Sequence, residues 1–125
     1  FILNQILQNL IDNAIKYIKP EAEIRNINLN WRYGNNKIAF AIGDTGIGIP
    51  PEDLDKIFSI FFRSNNEMNV ETDGKGVGLA MIKSLLEKFN GEIWVKSKVN
   101  EGSIFYFTFP DTILHPPELK KHDLV

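Results

Sequence analysis

The stretch GKGVGL at residues 74–79 constrains the fold of this chain more than any other feature. Its glycines alternate with other residues, and apolar residues then recur at helical spacing as far as Phe89, which predicts a flexible strap leading into a helix N-terminus. Glycine lets a backbone approach a ligand closely, and the free N–H groups and dipole of a helix N-terminus favour phosphate. Lys75 adds a mobile cation. The alternative for this stretch alone is a glycine-rich loop without a ligand.

Composition narrows the class of protein. The chain has 125 residues, of which 43% are hydrophobic and 24% charged, as expected for one soluble domain with a core. A net charge of −2 offers no broad basic surface, so we expect no nucleic-acid partner. The absence of cysteine excludes disulfides and thiolate metal sites and fits a reducing, cytoplasmic location.

No apolar run reaches the roughly 18 residues of a membrane span, so we expect no membrane contact by this domain. The first residue already belongs to an amphipathic pattern, which indicates that the chain is part of a longer protein. Whether that parent protein is anchored in a membrane is left open.

Hydrophobic periodicity predicts the order helix, hairpin, loop, helix, hairpin. The predicted elements are a helix over 2–18, a half-buried strand over 27–33, a return strand ending at Asp44, a short helix from 50 to about 58, a helix over 77–89, a strand around 93–95, and a last strand with Phe105, Phe107 and Phe109 on one face. This order predicts an α+β fold, a two-layer α/β sandwich whose mixed, mostly antiparallel sheet is covered on one face by helices. We assign 1–110 to one domain and the aperiodic 111–125 to a tail or linker.

A polar stripe runs along the first helix. Asn9, Asn13, Lys16 and Tyr17 fall within about 100° of arc, between the apolar and solvent faces. Amide oxygens one turn apart at Asn9 and Asn13 can coordinate a hard cation such as Mg²⁺, and Lys16 can reach phosphate. The alternative is a polar helix face with asparagine at its edge, since asparagine costs only a few tenths of a kcal/mol in a helix.

Asp44 stands where a strand ends and a second glycine turn begins. A carboxylate there can accept a hydrogen bond from an exocyclic amine, and Gly46 and Gly48 would leave room for a flat ring. The alternative is an aspartate that only forms the turn. His115 and His122 lie in the predicted tail, where we expect solvated side chains.

Taken together, these stretches resemble the ATP-binding catalytic domain of sensor histidine kinases. The superfamily also includes gyrase, heat-shock chaperone and mismatch-repair ATPases and shares the Bergerat fold. The matching segments are NLIDNAIKY (9–17) for the N box, DTGIGIP (44–50) for the first glycine box, FSIFFR (58–63) for the F box, GKGVGLAMIKSLLEKFNG (74–91) for the second glycine box, and EGSIFYFTFP (101–110) for the closing strand. The resemblance covers about 1–110.

The resemblance implies a role for each matching residue. Asn13 would hold Mg²⁺, assisted by Asn9, which would also be a catalytic residue. Lys16 and Arg63 would meet the phosphates as catalytic residues, and Tyr17 would pack beside the nucleotide. Asp44 would bind the adenine amine. The other implied nucleotide contacts are Gly46, Gly48, Ile49 and Phe58 around adenine, and Gly74, Lys75, Gly76, Val77, Gly78 and Leu79 around the phosphates. Residues 63–76 would form a lid over ATP. Separately, the polar, aperiodic composition of residues 64–73 predicts a loop that is mobile without nucleotide.

The implied function is to bind ATP with Mg²⁺ and to donate the γ-phosphate to a histidine on a separate dimerisation domain. That domain is absent from this chain, and a response regulator would act downstream. One alternative is a superfamily ATPase that drives a conformational clamp. Those ATPases resemble one another in having a glutamate where Asn9 stands, and asparagine cannot act as a base. A second alternative is a binding module that has lost nucleotide, against which the intact Asn13 and Asp44 argue.

Overall fold

The computed structural model of the chain describes residues 2–59 and 78–113. The elements are α1 (Ile2–Tyr17), β1 (Ile27–Gly34), β2 (Lys37–Asp44), a 3₁₀ turn (Pro51–Asp53), α2 (Gly78–Lys88), β3 (Glu92–Lys98), β4 (Gly102–Pro110) and a final 3₁₀ turn (Asp111–Ile113). The strands form a 4-stranded sheet in the order β1-β2-β4-β3, and each neighbouring pair is antiparallel. The predicted α+β sandwich is therefore confirmed.

The core lies between the two helices and one face of the sheet. Its most deeply buried members come from α1, α2 and the two central strands: Ile6, Leu10, Ile42, Ile82, Leu86, Phe105, Phe107 and Phe109. The helical members are four residues apart, which places them one turn apart on the same face. The ring of Phe107 stacks on Phe40 at 4.9 Å and meets Phe109 edge-on at 5.9 Å. The predicted aromatic face of the last strand is thus the floor of the core.

Asparagine residues form the tight connections. Asn35 and Asn36 have φ angles of 53° and 60°, as a two-residue hairpin turn that matches strand twist requires. After α2, Asn90 adopts a φ of 61°, and the N–H of Gly91 donates to the carbonyl of Leu86 at 2.7 Å. This left-handed residue ends the helix and turns the chain into β3.

The first strand differs from its prediction. The strand predicted over 27–33 is present, but every residue of β1 is exposed, so its predicted half-burial was wrong. Its register places Leu29 opposite Ile42 and Trp31 opposite Phe40, and its apolar side chains therefore point to the helix side of the sheet. They remain 48% and 69% exposed, so this edge of the sheet is left largely uncovered by the described helices. The alternation of apolar and polar residues correctly predicted which face of the sheet the apolar side chains of β1 occupy. It could not predict whether a helix covers that face.

The segment that follows Pro50 also differs from its prediction. A helix was predicted from 50 to about 58, but only Pro51–Asp53 is helical, as a 3₁₀ turn. Further turns follow, in which Lys56 N–H donates to Asp53 O and Ser59 N–H to Lys56 O. Neighbouring side chains of a regular helix point about 100° apart. Here the consecutive residues Ile57 and Phe58 both pack on the core. Tight turns direct both side chains inward, whereas a regular helix would point them in different directions.

The chain just beyond β4 is attached to the first hairpin. Asp111 N–H donates to the carbonyl of Asn36 at 2.8 Å, and the hydroxyl of Tyr33 donates to Asp111 Oδ2 at 2.8 Å. That hydrogen bond raises the pKa of Tyr33 above its ordinary value. The rest of the predicted tail, 114–125, lies outside the described residues, and its separation from the domain stays a prediction.

Among residues 2–59 and 78–113, neither α1 nor α2 has the length and apolar character that a membrane-spanning helix needs.

We expect Phe107→Ala to lower the free energy of unfolding by about 3–5 kcal/mol, because the change leaves a cavity beneath both helices. Urea denaturation of the purified domain measures this. Ile104→Ala is the matched control, since Ile104 lies on the same strand but is 39% exposed while Phe107 is 0% exposed. Equal losses for the two variants would contradict this assignment of the core.

Candidate functional site

A pocket lies on the helix side of the sheet, where the end of α1 meets the end of β2 and the start of β4. It is lined by Asn13, Tyr17, Asp44, Ile47, Gly48, Ile49, Ile57, Leu79, Ser103 and Phe105. Asn13, Tyr17, Asp44, Gly48, Ile49 and Leu79 in this lining are residues that the sequence predicted for a nucleotide site. They come from three separate segments, and the fold brings them together.

The turn that follows β2 is fixed from two sides. Ile47 N–H donates to the carbonyl of Tyr17 at 3.0 Å, and the carbonyl of Ile47 accepts from Asn100 N–H at 2.8 Å. The turn is therefore bonded to the end of α1 and to the connection between β3 and β4. Thr45 adds bonds to the segment before β1, where its hydroxyl donates to Ile24 O at 3.1 Å. These bonds set the distance between α1 and Asp44.

Glycine is required in this turn by the protein's own backbone. A Cβ atom on Gly46 would lie 2.5 Å from the carbonyl oxygen of Tyr17. Gly48 has a φ of +76°, and a Cβ there would lie 2.2 Å from the carbonyl oxygen of Lys98. Any larger residue would push the turn away from α1 or β3. The contact of these glycines with adenine stays a prediction.

Asp44 occupies the polar end of the pocket. Its Oδ1 accepts the N–H of Gly46 at 2.8 Å, and the N–H of Ser103 also bonds to the carboxylate. Burial raises the pKa of Asp44 above its ordinary value, although the two backbone hydrogen bonds act to lower it. A partly desolvated carboxylate in a pocket is a candidate functional group.

Two serines that the sequence interpretation missed support this end of the pocket. The Oγ of Ser97 accepts the N–H of Ile49 at 2.7 Å, lies 2.9 Å from the carbonyl oxygen of Gly102, and lies 2.7 Å from the Oγ of Ser103. Ser97 and Ser103 face each other in the register of β3 and β4. The available signal was the alternation of β4, which places Ser103 on the same face as Phe105 and Phe107.

The apolar wall differs in detail from the predicted one. Ile57 lines the pocket, whereas Phe58 is not among the lining residues. The ring of Phe58 packs edge-on against Phe105 at 6.4 Å, and Lys83 Nζ lies 5.9 Å from its centroid. Because Phe105 lines the pocket, Phe58 supports the wall from behind.

The other residues predicted for the site either do not line this pocket or lie outside the described residues. Asn9 is one turn before Asn13 on α1, and Lys16 lies in the last turn of that helix. Gly78 is the first residue of α2. The structure does not describe Arg63, Gly74, Lys75, Gly76, Val77 or the remainder of the predicted lid over 63–76. Within the described ranges, no three His, Cys, Asp or Glu side chains cluster as metal ligands would.

A wider depression of about 580 Å³ lies over the opposite face of the sheet, above Ala41, Gly43 and Ile104. Asp44 and Ser103 reach both depressions because they stand at strand ends. We place the candidate site on the helix side because Asn13, Tyr17 and Leu79 line that pocket and do not line the wider depression.

Comparison with known proteins gives the family. Residues 2–113 match the family described as histidine kinase-, DNA gyrase B- and HSP90-like ATPases. The chain is 43% identical over 108 residues to cyanobacterial phytochrome A from Nostoc, and the match covers 86% of this chain and 14% of that protein. Hence the chain spans a small part of this relative's length.

Solved structures agree. The mycobacterial sensor histidine kinase MprB matches with a TM-score of 0.74 and 26% identity, covering 87% of this chain and 72% of that one. Full-length ShkA in complex with AMPPNP matches with a TM-score of 0.70 and 31% identity, covering 87% of this chain and 21% of that one. The chain therefore belongs to the histidine kinase-, DNA gyrase B- and HSP90-like ATPase family. Within that family it is an ATP-binding catalytic domain of the sensor histidine kinase type.

The raised pKa of Asp44 makes a signed prediction for the empty domain. In the unfolded chain this carboxyl titrates near its ordinary value of about 4, and in the folded domain it titrates at a higher pH. Between those two values the folded state binds more protons. The stabilising contribution of Asp44 is therefore fully present below the unfolded pKa and is lost as the pH rises through the folded pKa.

Urea denaturation from about pH 4 to about pH 7 tests this on the wild type and Asp44→Asn. The unfolding free energy of the wild type minus that of the variant should fall as the pH rises. A difference that stays constant, or that rises with pH, would show that burial does not dominate at Asp44.

Proposed function

We propose that this domain binds ATP with Mg²⁺ in the helix-side pocket and transfers the γ-phosphate to a histidine on the dimerisation domain of its parent kinase. A response regulator then receives the phosphoryl group, and the domain works on the cytoplasmic side, where ATP is held. One observation carries the proposal: Asn13 and Tyr17 of α1, Asp44 after β2 and Leu79 of α2 line one pocket. The AMPPNP bound to the similar ShkA supports the choice of nucleotide.

Asp44 would select the base. Its carboxylate already accepts backbone N–H groups from two sides and retains lone pairs for a further donor. The exocyclic amine of adenine supplies such a donor, whereas guanine presents a carbonyl oxygen at the same place. The apolar side chains of Ile47, Ile49 and Phe105 would pack on the faces of the ring.

The donor set fits Mg²⁺. Asn13 lines the pocket, and Asn9 precedes it by one turn of α1, a rise of about 6 Å. Amide oxygens are hard ligands, and Mg²⁺ commonly combines one or two protein oxygens with substrate phosphates and water. When bound, the ion would neutralise charge on the phosphates.

Basic side chains and backbone N–H groups would complete the phosphate site. Lys16 stands in the last turn of α1, close in sequence to Asn13 and Tyr17. Arg63 and the glycine strap at 74–79 are proposed for the same role. Charge on a transferred phosphoryl group requires such donors around it.

Asn9 favours transfer over hydrolysis. An amide cannot accept a proton from water, so Asn9 cannot act as the general base that an ATPase needs. A histidine acceptor is itself a nucleophile and needs only to be placed in line with the phosphate.

The domain should bind ATP more tightly than GTP, and Asp44→Asn should weaken ATP binding. Loss of the charge-assisted bond corresponds to about 1.5–3 kcal/mol, or roughly 10–100-fold in affinity. Isothermal calorimetry in the presence of Mg²⁺ measures both. Asp12→Asn is the control, because Asp12 is exposed, accepts a hydrogen bond from Gln8 along α1 and does not line the helix-side pocket. Equal binding of ATP and GTP by the wild type would refute the assigned role of Asp44.

The isolated domain should hydrolyse ATP slowly or not at all and should not label itself. Placing reactants together is worth about 7–11 kcal/mol of barrier, and residues 1–125 lack the proposed acceptor domain. Adding the parent's dimerisation domain with radiolabelled ATP should give acid-labile label on its histidine. Brisk turnover by the isolated domain, or label on His115 or His122, would favour the ATPase alternative.

A further inference from the structure

The hydroxyl groups of Ser97 and Ser103 form a network whose proton positions can be counted. Ser97 Oγ lies 2.9 Å from the carbonyl oxygen of Gly102 and 2.7 Å from Ser103 Oγ. Each oxygen–oxygen contact at such a distance needs one proton between the two atoms. A carbonyl has no proton to give, so the two serine hydroxyls must supply both.

Only one arrangement satisfies both contacts. Ser97 donates its proton to Gly102 O, and Ser103 donates its proton to Ser97 Oγ. Ser97 Oγ also accepts the N–H of Ile49 at 2.7 Å. Its single proton and both of its lone pairs are then used, so Ser97 has no capacity left for another partner.

This arrangement fixes the chemistry of Ser103. Ser103 lines the pocket beside Asp44 and is 7% exposed. Because its proton is directed at Ser97, any further bond that Ser103 Oγ makes in the pocket must be as an acceptor, directly or through a water. The Asp44 carboxylate is also an acceptor, so Asp44 and the Ser103 hydroxyl together offer lone pairs to a ligand and no hydroxyl proton.

We propose that Ser97 is a positioning residue for base selectivity, which holds the Ser103 proton away from the pocket and so keeps the pocket matched to an amine and mismatched to a carbonyl. The proposal rests on the proposed function, since it takes adenine to occupy this pocket. Ser97 does not line the helix-side pocket, and it lies outside the motifs predicted from the sequence. The selectivity of the site is then set by Asp44 together with the hydroxyl proton of Ser103, which points at Ser97 and away from the ligand.

Ser97→Ala tests the proposal. The variant frees the Ser103 hydroxyl to rotate and donate to a 6-oxo purine. It also leaves Ile49 N–H without its partner, so the affinities for ATP and ITP should both fall. The informative quantity is their ratio. A neutral hydrogen bond gained by ITP should lower the preference for ATP over ITP by roughly 2–10-fold. Calorimetry with each nucleotide and Mg²⁺ measures it.

Matched variants separate selectivity from folding. Ser97→Thr keeps the hydroxyl and should retain the wild-type ratio. Ser84→Ala removes an exposed hydroxyl from α2 and should change neither affinity. If Ser97→Ala does not fold, as shown by thermal unfolding, Ser97→Cys keeps the volume with a weaker hydrogen-bonding group and should shift the ratio in the same direction.

The outcomes distinguish the two proposals. A wild type that binds no ATP would refute the proposed function and this inference with it. A wild type that prefers ATP, with a folded Ser97→Ala or Ser97→Cys variant that loses affinity equally for ATP and ITP, would overturn only the role of Ser97. A lowered preference in Ser97→Ala that Ser97→Thr restores would support it.

Discussion

The peptide groups of Ile47 bond the turn after β2 to the elements on either side of it. The N–H donates to Tyr17 O at the end of α1, and the carbonyl accepts from Asn100 N–H between β3 and β4. These bonds tie the end of α1 and the β3–β4 connection to the same turn, directly after Asp44. Each bond contributes about 0.5–1.5 kcal/mol, but leaving either group buried and unpaired would cost more. The pocket therefore depends on a turn that only glycine can complete, since Gly46 and Gly48 lie against neighbouring carbonyl oxygens.

The pocket lies where glycine residues allow neighbouring backbone segments to approach one another closely. Gly48 holds a left-handed φ, as does Gly102 at the start of β4, with a φ of +121° and a Cβ position that would overlap the carbonyl of Asp44. Turns of this kind lose more conformational entropy on folding than turns built from other residues. The aromatic floor of Phe105, Phe107 and Phe109 lies directly next to them and offsets that cost through buried apolar area. The strand β4 thus contributes both to the core, through Phe107 and Phe109, and to the site, through Ser103 and Phe105.

Local patterns predicted most of the fold because they depend on neighbours in sequence. The apolar faces of α1 and α2, both hairpins and the aromatic side of β4 follow from periodicity, and so does the position of Asp44 at a strand end. Features that depend on distant segments were not predictable in this way. The exposure of β1 depends on where the helices stop, and the shortening of the helix after Pro50 depends on both Ile57 and Phe58 reaching the core. The link between Ser97, Ser103 and Ile49 depends on the register of β3 against β4, which no single segment specifies.

Selectivity in such a pocket comes mainly from the cost of the polar groups that a wrong ligand would leave without hydrogen-bond partners. A ligand carbonyl placed against Asp44 and the lone pairs of Ser103 would lose its water and gain no donor, and buried polar groups without partners are costly. The raised pKa of Asp44 shows that burial already penalises the charged carboxylate in the empty domain. An amine that donates to it would relieve part of that penalty, which is the physical basis of the proposed preference for adenine. In the proposed site, the backbone N–H groups that bond to Asp44 and the hydroxyl of Ser97 would maintain this asymmetry, and Ser97 is itself bonded to Ile49 N–H in the turn after β2.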